Sequence, residues 1–294
     1  MTNFFPGLCT TFLTRYCFVF LLLMTYSVLG WCGEMVYCSI GQRKLCEKRG
    51  FLNGPICPIY GHGALVVLLC LDGGCDSPVL TFFLGAVLTS IVEYVTSFVM
   101  EKLFHMRWWD YSRYKFHING RVCLLNSTLF GLASVFLCHF ANPPIASWLT
   151  HLFTIGLAVP LALILTGVYL ADIVLSVRSA IQISSRLEKL HAIHDELAEK
   201  LEALKLEQQQ AMEAQKQKLE ELIQEPQQAI EAQKQKLEAA RAAARQAAEE
   251  KLHALYARPD FFERRLLHSF PSMKSSRHPE ALTKLKEYLA NRKR

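Results

Sequence analysis

Lysine and arginine are missing from two connections of this 294-residue chain, Asp72–Pro78 and Ala141–Trp148, although the whole carries a net charge of +6. Other absences exclude whole classes of chemistry. There is no G-x-x-x-x-G-K-[ST] phosphate loop, so any P-loop ATPase activity would have to reside in a separate subunit. Neither H-E-x-x-H nor G-x-S-x-G occurs, which removes two compact hydrolase signatures. The ten cysteines include no C-x-x-C pair and no His-flanked set with zinc spacing. Most of them read as small apolar residues packed between helices. One outer disulfide stays open for Cys75 with Cys9 or Cys70, its pairing unreadable. Neither a cofactor nor a metal is expected.

What the chain does have is five apolar stretches, Phe12–Trp31, Pro55–Leu71, Val79–Met100, Val122–Phe140 and Leu149–Leu175. Basic residues crowd into alternate connections. Arg43, Lys44, Lys48 and Arg49 follow the first stretch, and Lys102, Arg107, Arg113, Lys115 and Arg121 follow the third. This is the positive-inside pattern for five spans with the N-terminus outside and the C-terminus in the cytoplasm. A bilayer core of about 30 Å needs about 20 apolar residues per helix. The third and fifth stretches meet that length comfortably. The second is interrupted by Pro58, Gly61, His62 and Gly63, so it reads either as a full span or as a re-entrant segment. The first has one n-region charge, Arg15, and no clean small-x-small cleavage site, which favours a retained helix over a signal peptide.

The expected fold is therefore all-α: a polytopic membrane bundle over residues 1–175, then a long cytosolic helical or coiled-coil tail. In the tail, residues 176–257 are rich in Ala, Glu, Gln, Lys and Leu. Leu187, Leu190, Leu197, Leu201 and Leu204 fall on heptad a and d positions, with His194 taking one. Gln208–Glu220 recurs as Pro226–Glu238, a shift of 18 residues that makes five helical turns and presents the same face. Pro226 should break or kink the helix. The segment reads as a helix that pairs with itself or a partner, or as a single helix laced by i,i+4 charge pairs. His191 and His194, one turn apart, are more simply surface or seam residues than metal ligands. Residues 258–294 hold ten basic residues against four acidic ones. They suggest either contact with anionic headgroups or a solvated tail, and PDFFERRLLHSF fits a short amphipathic helix at the membrane surface. No nucleic-acid motif accompanies the charge.

Function should reside among polar groups that a bilayer makes costly. Glu93 lies mid-way along the third stretch, with Arg121 as a candidate partner. Glu34, Glu101 and Asp172 fall near headgroup level. Trp108 and Trp109 suit an interfacial belt, with Asp110 and Arg113 as loop anchors.

Two strings are long and unusual: GWCGEMVYCSIGQRKLCEKRGFLNGPICPIYGHGAL at residues 30–65 and EYVTSFVMEKLFHMRWWDYSRYKFHINGRVCL at residues 93–124. Together they resemble the multipass bacterial membrane proteins of the putative ABC-transporter type IV, or CmpB-like, family. The resemblance covers roughly residues 16–175, with Phe130 standing where the family usually has tryptophan. It implies an inner-membrane transporter permease with a separate ATPase subunit. Carried over by position, Glu34, Arg49, Cys57, Tyr60, Glu93, Glu101, Asp110, Asn119 and Arg121 form a polar cluster toward the cytosolic half, on the substrate path.

Three readings stand on these residues. The first is a transport component with a polar cavity open to the cytosol. The second is a membrane-embedded lipid- or headgroup-modifying enzyme, with carboxylates as acid and base and Cys57 or Cys123 as nucleophile. In the third, the membrane part is an anchor whose helical tail recruits a partner.

Overall fold

The computed structural model describes residues 7, 10–42, 50–71, 77–221, 235–247, 250 and 261–291. It is all-α apart from four two-residue strands among these residues. Four helical stretches are long and apolar enough to cross a membrane: Phe12–Ile40, Pro78–Phe104, Leu124–Thr154 and Ala158–Lys216. The first belongs to α1 (Phe12–Gln42) and the second is α3 (Pro78–Phe104). The third joins α4 (Leu124–Phe136), a π-turn (Leu137–Ala141) and α5 (Asn142–Thr154). The fourth is the start of α6 (Ala158–Glu221).

The second apolar stretch is different. It yields α2 (Pro58–Leu71), 14 residues and so about 21 Å long, which is short of a bilayer core. Pro58 occupies the first helical position, where its missing N–H costs nothing. Residues 50–57 before it are irregular. The short helix nevertheless runs back along α1. Tyr60 meets Gly30, Gly61 meets Leu23 and Ser27, and Leu65 and Leu68 join the core cluster formed by Cys17–Met24. Only an antiparallel α2 brings its far end to that earlier part of α1.

The boundary between the fourth and fifth apolar stretches also differs from expectation. Pro143 and Pro144 do not end a helix. The π-turn just before them absorbs the lost backbone hydrogen bonds, and Asn142 is anchored by the Tyr26 hydroxyl at 2.9 Å. The chain breaks instead at Gly156, whose φ of 77° is left-handed. There Gly156 and Leu157 donate back to Phe153 and Leu152, closing the helix end. Residues 149–154 thus finish α5 rather than opening the last span.

Helices of this bundle touch through small residues, as lipid-embedded helices do when no hydrophobic drive separates helix from lipid. Gly85 meets Ser134 and Gly131 meets Phe82 in the α3–α4 pair, matching Gly30 and Gly61 in the α1–α2 pair. Ser77 caps α3, and His105, left-handed at φ 54°, ends it by donating to the Glu101 carbonyl.

The described residues fall into two compact units. The first holds the bundle through residue 182 together with residues 260–277, including α7 (Phe261–Ser269) and strand β4 (Lys274–Ser275). The second holds the rest of α6, residues 235–247 and α8 (Pro279–Asn291). Within it, heptad residues Leu187 and Leu190 are buried, as are Leu282 and Leu285 of α8, whereas Leu201 is 36% exposed. His191 stacks on His278 at 4.6 Å and pairs with Asp195 at 3.3 Å. Arg241 donates to Gln208, although an unbroken helix would hold residues 33 apart about 50 Å from each other. The helical stretches therefore lie back on one another within the chain. Pro226 and most of the second repeat copy fall outside the described residues.

The two glycines of α2 provide a matched test. A Cβ at Gly61 would lie 2.2 Å from Ser27 Oγ and 2.5 Å from the Leu23 carbonyl, whereas one at Gly63 meets nothing within 4 Å. Gly61→Ala should lower the melting temperature in detergent, because overpacking of about 1–3 kcal/mol outweighs the gain in helix propensity of about 1 kcal/mol. Gly63→Ala should leave it unchanged or raise it. Equal behaviour of the two variants would contradict the packing.

Candidate functional site

The end of the bundle where α3 terminates is built around the irregular segment 50–57. Backbone N–H groups at bundle depth need partners, and Asp172 on α6 supplies them. Its Oδ1 accepts from the Asn53 backbone and side-chain nitrogens at 2.8 and 2.7 Å, and its Oδ2 accepts from Gly54 N at 2.8 Å. Cys57 N donates to the Ser27 carbonyl of α1 at 3.0 Å. Gly50 has φ 108°, which side-chain-bearing residues rarely adopt, and a Cβ there would press on Cys57 Sγ. Asp172 is thus a structural clamp for this segment.

A polar cluster lies beside this segment. Tyr60 OH donates to Glu34 Oε2, placed by the close α1–α2 approach at Gly30. Cys38 Sγ, one turn along α1, contacts Glu34 Oε1 at 3.5 Å. Glu93 on α3 is 5% exposed and accepts from Tyr111 OH at 3.1 Å, while its second oxygen, Oε2, is buried without a partner among the described residues. Glu34 lies close enough to Glu93 for their charges to interact.

One and two turns further along the same face of α3, a second set forms. Arg121 donates to Glu101 Oε2 at 2.7 Å and to Ser97 Oγ at 3.2 Å, and its guanidinium lies 5.5 and 5.4 Å from the ring centroids of Tyr94 and Phe98. Arg107 reaches the same Glu101 oxygen at 2.7 Å and the Asn119 carbonyl at 3.2 Å. Asn119, left-handed at φ 51°, donates its side-chain amide to Tyr94 OH at 3.0 Å. A hairpin of β2 (His117–Ile118) and β3 (Val122–Cys123) carries these residues.

Arg121 therefore does not pair with Glu93. Glu93, Ser97 and Glu101 stand at i, i+4 and i+8 on one helix face, and Arg121 enters at the level of the last two. Tyr111 takes the place expected for it. Of the nine residues the sequence singled out, Glu34 with Tyr60, Glu93, and Glu101 with Asn119 and Arg121 come together through these contacts. Cys57 anchors segment 50–57, Asp110 lies against Gly120 of the hairpin without bonding to this set, and Arg49 lies outside the described residues.

Trp108 departs from the belt expected of it. Trp109 donates to the Arg121 carbonyl at 3.0 Å. Trp108 is 1% exposed and edge-on to Phe51, Phe104 and Phe270 at 5.1, 6.0 and 5.0 Å. Phe270 comes from a strap, residues 261–277, that docks on this end. Arg265 of α7 is buried and donates to the carbonyls of Gly50 at 3.3 Å and Phe51 at 2.6 Å. Strand β4 pairs antiparallel with β1 (Met106–Arg107). Ser276 donates through both N and Oγ to the His105 carbonyl, and Lys274 pairs with Asp110. Arg265 is thus buried against protein, Lys274 pairs with Asp110 while staying largely exposed, and α7 packs on the bundle end. Neither was singled out from sequence. The available signal was a charge at Arg265 three residues from both Phe262 and His268, within an otherwise amphipathic run.

Burial raises the Asp110 carboxyl, but hydrogen bonds from Lys274 and Ser112 outweigh it and hold the group at about 2. A depressed folded value means that the pair stabilises docking above the ordinary carboxylate range, near 4, and is lost as pH falls from about 4 to about 2. Protection from hydrogen exchange at residues 274–276, taken relative to the intrinsic rate at each pH, should fall over that window. Lys274→Met should lower it at neutral pH by an amount matching no more than about 1 kcal/mol, since the lysine is 65% exposed. Unchanged protection in both experiments would contradict the pairing.

Residues 21–177 match the profile of the family described as putative ABC-transporter type IV. No curated protein matches the chain, and no solved structure does either.

Proposed function

The chain belongs to the putative ABC-transporter type IV family, and on that premise we propose that it is the membrane-spanning component of a transporter whose ATPase is a separate subunit. The observation that carries this reading is the convergence of Glu34–Tyr60, Glu93–Tyr111 and Arg121–Glu101 at one end of a bundle with four span-length helices. Ionisable groups at that depth are costly, and substrate paths are where they are retained. The irregular segment 50–57 leading into a short helix supports the same reading, because transporters place broken helices at their binding sites.

In this proposal the protein sits in the inner membrane with its N-terminus outside and its tail in the cytoplasm. The alternation of basic connections supports that orientation, and an antiparallel α2 keeps the crossing number odd. The polar cluster then lies toward the cytosol, on the substrate path. Unit two offers exposed apolar side chains, Leu206 at 56% and Met212 at 63%. These support the third reading, in which the helical tail recruits a partner.

The tagged full-length protein, purified in mild detergent, should bring down a P-loop ATPase in stoichiometric amount by mass spectrometry. A clean preparation without any ATPase would remove the permease reading.

A further inference from the structure

The connection between α3 and α4 turns large apolar side chains outward. Phe116 is 77% exposed, and Tyr114 and Ile118 on either side of it are exposed as well. Phe116 also has φ 55°, a left-handed backbone that is costly for a bulky residue. The hairpin that follows fixes this conformation. Asn119 and Gly120, both left-handed, form its two-residue turn, and the Phe116 carbonyl accepts from Leu124 N at 3.0 Å. A strained aromatic residue that gains so little burial from its own chain points to a partner outside it.

Position and charge say what that partner is. The bond to Leu124 sets Phe116 beside the first residue of a span-length apolar stretch, Leu124–Thr154. Leu124 and Leu125 there are exposed, as is Leu103 at the end of α3. The outward side chains of the connection therefore continue the lipid-facing surface of α3 and α4. Arg113 and Lys115 alternate with Tyr114 and Phe116, and both are exposed. Residues 112–120 contain no acidic side chain. Basic and aromatic residues interleaved at a bilayer boundary suit anionic headgroups, with the rings at the acyl boundary and the charges above it. We infer that residues 113–118 form a membrane-surface anchor that binds anionic phospholipid. The same connection carries Tyr111, Asn119 and Arg121, so lipid held there also steadies the groups that meet Glu93, Tyr94 and Glu101.

The test uses the full-length protein with p-benzoylphenylalanine in place of Phe116, in nanodiscs of equal parts phosphatidylglycerol and phosphatidylcholine. Irradiation should attach phospholipid to the peptide carrying position 116, read by mass spectrometry, with phosphatidylglycerol favoured severalfold. Arg113→Gln and Lys115→Gln should each lower that preference by up to about fivefold, as expected for removing one basic residue near a charged surface. Phe116→Gly separates this role from a structural one. It relieves the left-handed strain, so the melting temperature in detergent without added phospholipid should hold or rise. The gain in melting temperature on adding phosphatidylglycerol should shrink relative to the unaltered protein. A Phe116 that served only to pack the fold would instead give a lower melting temperature in detergent and an unchanged gain. That result, equal labelling of the two lipids, or no lipid adduct would overturn the inference. So would cross-linking to a second polypeptide, in the nanodisc or in irradiated cell membranes, since the surface would then be a protein interface.

Discussion

The bundle depends on satisfying the backbone of residues 50–57. An irregular stretch inside a helical membrane protein exposes donors and acceptors that lipid cannot match, and this chain answers from two directions. Asp172 on α6 takes the N–H groups of Asn53 and Gly54, and Arg265 in the strap serves the carbonyls of Gly50 and Phe51. An acid on one side and a base on the other bracket the segment. Arg265 is close enough to Asp172 for the charges to attract. The placement of α2, and with it Tyr60, follows from this bracket.

From there the geometry propagates through close contacts. Gly30 and Gly61 let α2 lie against α1 closely enough for Tyr60 to reach Glu34, and Gly85 and Gly131 do the same for α3 and α4. The hairpin between α3 and α4 is then short enough to return Tyr111 to Glu93 and Arg121 to Glu101. Two electrostatic layers result along one face of α3. The one nearer the helix end sets two guanidiniums, Arg107 and Arg121, on the single carboxylate of Glu101. The deeper one holds two acids and two tyrosine hydroxyls.

Much of this was legible in the residues themselves. Apolar length identified the long helices, and Glu93 stood out because a charge there is expensive. The failures have physical causes. The last apolar stretch was expected to open at Leu149, yet a π-turn carries the preceding helix on to Thr154, and such turns leave no periodic signature. Arg121 was matched to Glu93 by charge alone, whereas its depth is set by the left-handed residues Phe116, Asn119 and Gly120 of the hairpin. Trp108 looked interfacial because composition cannot distinguish a ring facing lipid from one facing Phe51 and Phe270. The strap was the least legible part, since contacts such as Arg265 with Gly50 join residues 215 apart with no local pattern to announce them.

That separation has a consequence for how the protein is made. Residues 50–57 are synthesised early, but Arg265 follows 215 residues after Gly50, about 10–40 s later at ordinary translation rates. Throughout that interval the Gly50 and Phe51 carbonyls and one face of Trp108 lack their final partners. The bundle end closes only when the strap has left the ribosome, so a chain cut short by failed translation carries an open end and is distinguishable from a finished one by that feature alone.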